Sequence, residues 1–530
     1  MIWLLLALTL LPSAWLAWTS RDMPQFGRLN DDSTYFVTAK SLAFGGGHRI
    51  ESLPGQPHQT KYPPLYPLLL SLVWRANPSF PENLALAALL AWLMMPLYML
   101  LVWRLFREHG FERWQALPMT ALLMLSPITV SYSLLLMSEL PFTILLLLIV
   151  MLAERAGTVS SRQAVPLSAA VGLVAGAAYL MRSAALPLLL TAPLVFAVRR
   201  QFLRGATFAA AMLPAVVGWQ IWTNTHALAG TDLVTLYHTK YLGFHLANVS
   251  WDSLGVFVID NLNAMMAAIG KFFLFHDESP MWYVTVTRVL AVASVAGAVR
   301  LARRTGKLHY PAYALAYGAI LLQWHYPAIP RFLIPVAPLL VAGLVTELRS
   351  LTERIRATWR KPKPAERGLA VGMAVLLLLL GLGAVRQTWY GITSWIPAYL
   401  DFARQSLDKH RRIYSWIRES VPEQGQFYAD RDALLYLYTG RRACSLRIPP
   451  VLIYRRDSDG VRRFLATLPD RAKQFELSYA LVTDEDFSLE TASLDNGKFQ
   501  VPVEDGTGRY LLHRDGAVAV YRIPDPRAAD

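Results

Sequence analysis

The sequence predicts an α-helical polytopic membrane protein with a small α/β domain at its C-terminal end. Three observations predict it. The chain of 530 residues is 54% hydrophobic and 17% charged, and its apolar residues come in blocks of bilayer-helix length. Basic residues sit in short clusters between those blocks, as cytoplasmic loops do, which accounts for the net charge of +14 without a nucleic-acid partner. Beyond Arg386 the apolar blocks stop, and short helical and strand-like patterns alternate.

Taken in order, residues 2–18 form an apolar segment with no basic n-region, read as an uncleaved first span; the small residues Pro12, Ser13 and Ala14 keep a cleavable signal peptide open. Residues 19–83 then form the first external loop. Within it, 34–44 places Tyr35, Phe36, Ala39, Leu42 and Ala43 at helical spacing, which predicts an amphipathic helix on the membrane interface. Residues 64–74 are apolar but too short to span, so they read as a re-entrant or surface helix.

The positive-inside rule then carries the chain through spans at 84–106, 117–136, 142–153, 166–180, 184–198 and 208–222. A long external loop at 223–281 follows. Spans at 282–299, 310–324, 332–346 and 369–385 complete a set of about eleven, which puts the C-terminal region outside. The basic run at 360–364 reads as a cytoplasmic linker. The expected division is a membrane module over 1–388 and an extracytoplasmic soluble domain over 389–530. Helical patterns are expected at 407–419, 433–438 and 461–468, and strands at 426–428, 479–483, 510–513 and 517–522. The single cysteine, Cys444, forbids an intrachain disulfide, and no Walker-type or dinucleotide glycine motif is present.

The chemistry-bearing residues concentrate in 28–67. Asp31 and Asp32 are adjacent carboxylates; one could take a proton from a hydroxyl while the other orients a partner or binds a metal. The plainer role is to cap the helix that starts near Ser33. Lys61, followed by Tyr62 and then Pro63 and Pro64, could contact a lipid phosphate or could simply snorkel. Glu139 is either a helix N-terminal charge or a site residue. Arg182 and Arg331 fall at external span ends, opposite the face where arginine accumulates, which points to anion binding. His325 and Tyr326 lie near Arg331 in sequence and could line the same cavity. The loop histidines (His48, His58, His226, His238, His245, His276) show no metal-ligand spacing.

The pieces DDSTYFVTAKSLAFGGG, KYPPLYPLLLSLVWR, SPITVSYSLLLMSELPFTILLLL, YLMRSAALPLLL and RFLIPVAPLL, in that order, resemble the GT-C superfamily of polyprenyl-phosphate-sugar-dependent glycosyltransferases. Within it the pieces resemble in particular the protein mannosyltransferase and aminoarabinose-transferase-like group. The resemblance extends to about Glu347 and implies a GT-C type fold in a plasma (inner) membrane. It implies a polyprenyl-phosphate-linked sugar as donor and an extracytoplasmic hydroxyl (on lipid, polysaccharide or protein) as acceptor, with inversion. It makes Asp31 the catalytic carboxylate, with Asp32 and Glu139 beside it. Lys61 becomes the lipid-phosphate ligand; Arg182, Arg331, Tyr62 and Tyr326 join it as candidate phosphate-binding residues on their placement in the sequence. No cofactor is certain, and a divalent cation is compatible with the acidic pair. Two departures stand out: the second acid is Asp32 where related enzymes often carry Glu, and Tyr62 separates Lys61 from the prolines. The rival class is a transporter of polyprenyl-linked glycans; an odd span count and acids gathered in one loop argue against it.

Overall fold

A computed structural model of the chain describes residues 1–230, 232–276, 280–327, 329–360, 364–488, 490–494, 499–503 and 510–523. Residues 361–363 of the expected linker lie outside them. The chain is a multi-pass membrane protein. Among the described residues eight helices are long and apolar enough to cross a bilayer: Ile2–Thr19, Leu84–Glu108, Ser161–Met181, Phe202–His226, Leu254–Phe273, Met281–Thr305, Pro330–Ala357 and the run Val371–Ser420. The pair Arg113–Leu125 and Pro127–Ser133, bent by 57°, makes a ninth. Pro127 causes that bend, because it opens a new helix without an N–H to continue the old one. The expected spans near 142–153, 184–198 and 310–324 are the helices Glu139–Ala156, Leu188–Val198 and His309–Leu322.

One expectation is corrected. The segment 223–281, expected as a long loop, is largely helical. It folds into Leu233–Thr239, Tyr241–Asn248 and the 20-residue apolar helix Leu254–Phe273. That last helix meets the C-terminal domain, with Phe257 4.0 Å from the Tyr454 ring and the Asn261 side chain accepting from the Tyr454 hydroxyl. Asp260, Asn261 and Asn263 break its apolar pattern in the sequence, and Asn261 is explained by the bonds it donates to the Leu322 and Trp324 carbonyls. The helix expected around 34–44 is Asp31–Ala43. Asp31–Ala43 is covered on both sides, by Leu65–Ala76 and by Asp432–Thr439 of the domain, so Thr38 and Ser41 are as buried as Phe36.

Small residues let the spans approach closely. Gly297 of Met281–Thr305 and Gly343 of Pro330–Ala357 pack backbone to backbone, leaving no room for a Cβ on either. On the bundle end away from the domain, Glu154 accepts from Arg199 (2.8 Å) and from the His309 backbone and ring (2.9 Å each).

The helix Pro364–Tyr390 continues through a wide turn at Gly391–Trp395 into Ile396–Ser420, so one rod joins bundle and domain. The domain carries β1 (Phe427–Ala429), β2 (Ala443–Cys444), β3 (Tyr479–Val482), β4 (Leu511–Asp515) and β5 (Val518–Arg522) in the order β2-β1-β3-β5-β4. β1 pairs parallel with β2 and β3, whereas β5 runs antiparallel to β3 and β4. The first loop docks on this domain. Arg28 lies 3.0 Å from Glu485, which Arg431 also binds; Asn30 donates to the Asp430 carbonyl, and the Ala443 N–H donates to Ser52.

Candidate active site

The site forms where the first loop, the broken helices and the domain meet. Asn30, with φ of 62°, turns the chain into the helix that begins at Asp31. The two aspartates then part. Asp32 is fully buried and accepts from the backbone N–H of Gly27 (3.0 Å) and Ser33 (2.8 Å). Burial pushes its carboxyl up to about 7 despite those bonds. Asp31 instead keeps 17% of its side chain exposed, accepts from the Tyr62 hydroxyl at 2.5 Å, and faces Arg331 at 3.1 Å. Burial pushes the Asp31 carboxyl up, but Arg331, Lys61 and the Tyr62 bond together hold it below its ordinary value.

Behind Asp31 lies a charge cluster made by chain breaks. Arg182 is the extended residue between Ser161–Met181 and the short turn Ser183–Ala185, and Arg331 sits in the short helix Pro330–Leu333. Both guanidinium groups face Glu139, at 3.2 Å from Arg182 and 3.8 Å from Arg331. Arg182 also donates to Ser138 (2.8 Å), whose hydroxyl is 3.2 Å from that of Tyr35. Glu139 is 1% exposed and opens its helix, so the dipole adds to the two arginines in stabilising it.

Lys61 occupies an aromatic cage. Its Nζ lies 3.5 Å from the Tyr237 ring centre, 4.6 Å from that of Tyr241 and 4.8 Å from that of Tyr62. The Gln59 side chain accepts from the backbone N–H of Lys61 and Tyr62, and Thr60 donates to the Thr239 carbonyl at 2.6 Å. These bonds hold the segment extended ahead of Pro63. Burial lowers Lys61 to about 7, with Arg447 and Arg331 adding to that and Asp31 opposing it. Tyr326 lies beside His325, whose ring is 5.2 Å from Tyr241 and shares a hydrogen bond with His245.

The structure therefore brings Asp31, Tyr62, Lys61, Glu139, Arg182 and Arg331 into one site, places Tyr326 near the cage, and turns Asp32 away. Sequence reasoning missed Tyr237, Tyr241 and Arg447. The aromatic spacing in LYHTKYLGFH was the available signal for the first two. The acids do not fit a cation: Asp31 and Glu139 are each engaged by arginine, Asp32 by backbone N–H groups, and no metal-binding cluster exists among the described residues. A small apolar crevice, with room for about one water, is lined by Tyr66, Leu69, Met94, Tyr132 and Leu140 among others.

No protein-family model and no curated protein matches the sequence. Solved structures share its fold. The oligosaccharyltransferase of Archaeoglobus fulgidus in its apo form superposes with a TM-score of 0.55 at 14% identity, covering 93% of this chain and 71% of that one. ArnT from Cupriavidus metallidurans bound to undecaprenyl phosphate gives 0.53 at 14% identity, covering 98% of both chains. Archaeal AglB from Archaeoglobus fulgidus, in complex with an inhibitory peptide and a dolichol-phosphate, gives 0.52 at 14% identity over 87% of this chain and 66% of that one.

Proposed function

We propose, from the premise that this chain has a GT-C glycosyltransferase-like fold, that it moves a hexosyl or pentosyl group from a polyprenyl-phosphate donor to a hydroxyl acceptor on the extracytoplasmic side of the plasma membrane. The observation that carries the proposal is Asp31, partly open and paired with Arg331 and Tyr62, next to the caged ammonium of Lys61. A base beside two cations suits an attack in which negative charge leaves on a phosphate.

In this reading the acceptor oxygen attacks the anomeric carbon as its proton passes to Asp31. The bond from that carbon to the phosphate oxygen breaks, and its electron pair stays on the polyprenyl phosphate, where Lys61 and Arg331 stabilise it. Attack opposite the leaving group inverts the anomeric centre. Asp31 tied to Arg331 is a weak base. A phosphate that draws part of the guanidinium charge away raises its basicity when the substrate is in place.

The test is reconstitution of the full chain in liposomes with a labelled polyprenyl-phosphate sugar and cell-envelope acceptor fractions. Label transferred to an acceptor, lost in Asp31→Asn, is the expected result. Translocation of intact labelled lipid with no bond exchange would replace the enzyme by a transporter.

A further inference from the structure

Lys61 and Arg447 meet at one ring. The Lys61 Nζ lies 3.5 Å from the Tyr237 ring centre, and the Arg447 guanidinium carbon lies 4.9 Å from the same centre. The π system attracts each cation, while the Arg447 charge opposes that of Lys61. Each is anchored from a different part of the chain. Lys61 is fixed by the Gln59 and Thr60 bonds of the first loop. Arg447, 5% exposed, follows β2 of the C-terminal domain and lies 3.3 Å from Glu490, and its Nε has no hydrogen-bond partner. Tyr237 comes from the short helix between them.

We infer that Arg447 is a positioning residue for Lys61: supplied by the C-terminal domain and acting through Tyr237, it fixes the ammonium in its cage and leaves two like charges whose repulsion a bound anion relieves. The domain is then part of the donor site, and its docking is a condition for holding a lipid phosphate. The inference rests on Lys61 as the phosphate ligand. The charged and titratable groups around Lys61 are Asp31, Tyr62 and Arg331 on the bundle side, Tyr237, His238, Tyr241 and His325 on the connecting segments, and Arg447, Asp432 and Glu490 from the domain. After burial and Asp31, Arg447 has the largest influence on the Lys61 proton, and it favours release.

The experiment follows Lys61 itself. Full-length protein in nanodiscs is labelled with an amine reagent across a pH series, and modification of the Lys61 peptide is read by mass spectrometry. Arg447→Gln raises the midpoint by on the order of one pH unit, Arg447→Lys leaves it in place, and Glu490→Gln lowers it. Opposite signs from two contacting residues are a pattern that loosened packing does not produce. An unmoved midpoint in folded Arg447→Gln, or both glutamine variants moving it the same way, overturns the inference. If Arg447→Gln does not fold, Glu490→Gln decides: a downward shift supports the coupling, and no shift ends it. Undecaprenyl phosphate binding is measured in parallel. Unchanged binding in Lys61→Met removes Lys61 from the phosphate while the midpoint shifts still report on Arg447.

Discussion

The Arg331 guanidinium lies 3.1 Å from the Asp31 carboxylate, so a residue at the start of a late membrane helix holds the acid at the start of the first loop helix. Asp31 is thereby kept ionised. Replacing it by Asn preserves the shape and removes the proton acceptor. Sugar transfer in Asp31→Asn is expected to fall about 100- to 10,000-fold, the range in which general bases act. Expression and binding of undecaprenyl phosphate should persist. Near-normal turnover would remove Asp31 from the reaction.

Asp32 behaves in the opposite way. Its folded-state value near 7 lies above the usual 3.8, so between those values the folded protein binds more protons than the unfolded one. Stability contributed by this group falls as pH rises through that window. Asp32→Asn no longer ionises, but the Gly27 and Ser33 N–H groups bond to different carboxylate oxygens, so the amide keeps one of those bonds and turns its NH2 toward the other donor. The variant should melt lower than the parent at pH 5, with the difference shrinking above pH 7, where the parent carries a buried charge, while transfer activity is retained. A difference in melting that is the same at pH 5 and pH 8 would contradict this.

Glu139 tests the charge cluster. At 1% exposure it depends on Arg182 at 3.2 Å more than on Arg331 at 3.8 Å. Arg182→Met strands a buried carboxylate and should cost about 3–5 kcal/mol. Adding Glu139→Gln should recover part of that loss, giving a coupling energy in a double-mutant cycle of thermal unfolding. Simple addition of the two single effects would mean that the pair does not interact.

How much of this could be read from the chain depends on the range of the signal. Asp31, Lys61, Glu139, Arg182 and Arg331 stand out because charge at a span end is expensive, and that cost is local to the sequence. Helix periodicity likewise placed most spans. Tyr237 and Tyr241 gave little warning, since tyrosines in a connecting segment are ordinary until Lys61 is set against them by the Thr60–Thr239 bond. Arg447 was one arginine among many, and its site role comes from tertiary docking of β2 beside the first loop. The helix Leu254–Phe273 was hidden because Asn261 bonds to the Leu322 and Trp324 carbonyls and to Tyr454, and Asn263 to Arg288, partners no periodicity can show. Asp31 and Asp32 part because successive side chains of one helix point about 100° apart, and which of them meets Arg331 is decided by tertiary packing.

Gly297 offers a test of the bundle away from the chemistry. A Cβ there would fall on the Gly343 carbonyl, whereas one on Gly318 meets nothing within 4 Å. Gly297→Ala must push two spans apart and should destabilise the protein by about 1–3 kcal/mol. Gly318→Ala should be neutral or slightly stabilising, because alanine favours helix. Thermal unfolding in detergent compares the two; equal melting temperatures would mean that these spans do not pack as described.

Lys61 gives two opposite pH responses from one proton. Its folded-state value is near 7, against 10.5 for a free lysine. Donor affinity that depends on the ammonium should therefore weaken as pH rises through about 7. Over the window from 7 to 10.5 the unfolded chain binds the extra proton, so stability contributed by this group rises with pH. Tighter folding and weaker donor binding should thus appear together between pH 7 and 9, measured by melting and by undecaprenyl phosphate binding on the same samples. Lys61→Met should flatten both curves, because an apolar side chain fills the tyrosine cage without a proton to lose. Lys61→Arg should keep binding constant through pH 9, since the guanidinium stays charged. Donor binding that stays level through pH 8 in the parent protein would show that the ammonium is not what holds the phosphate.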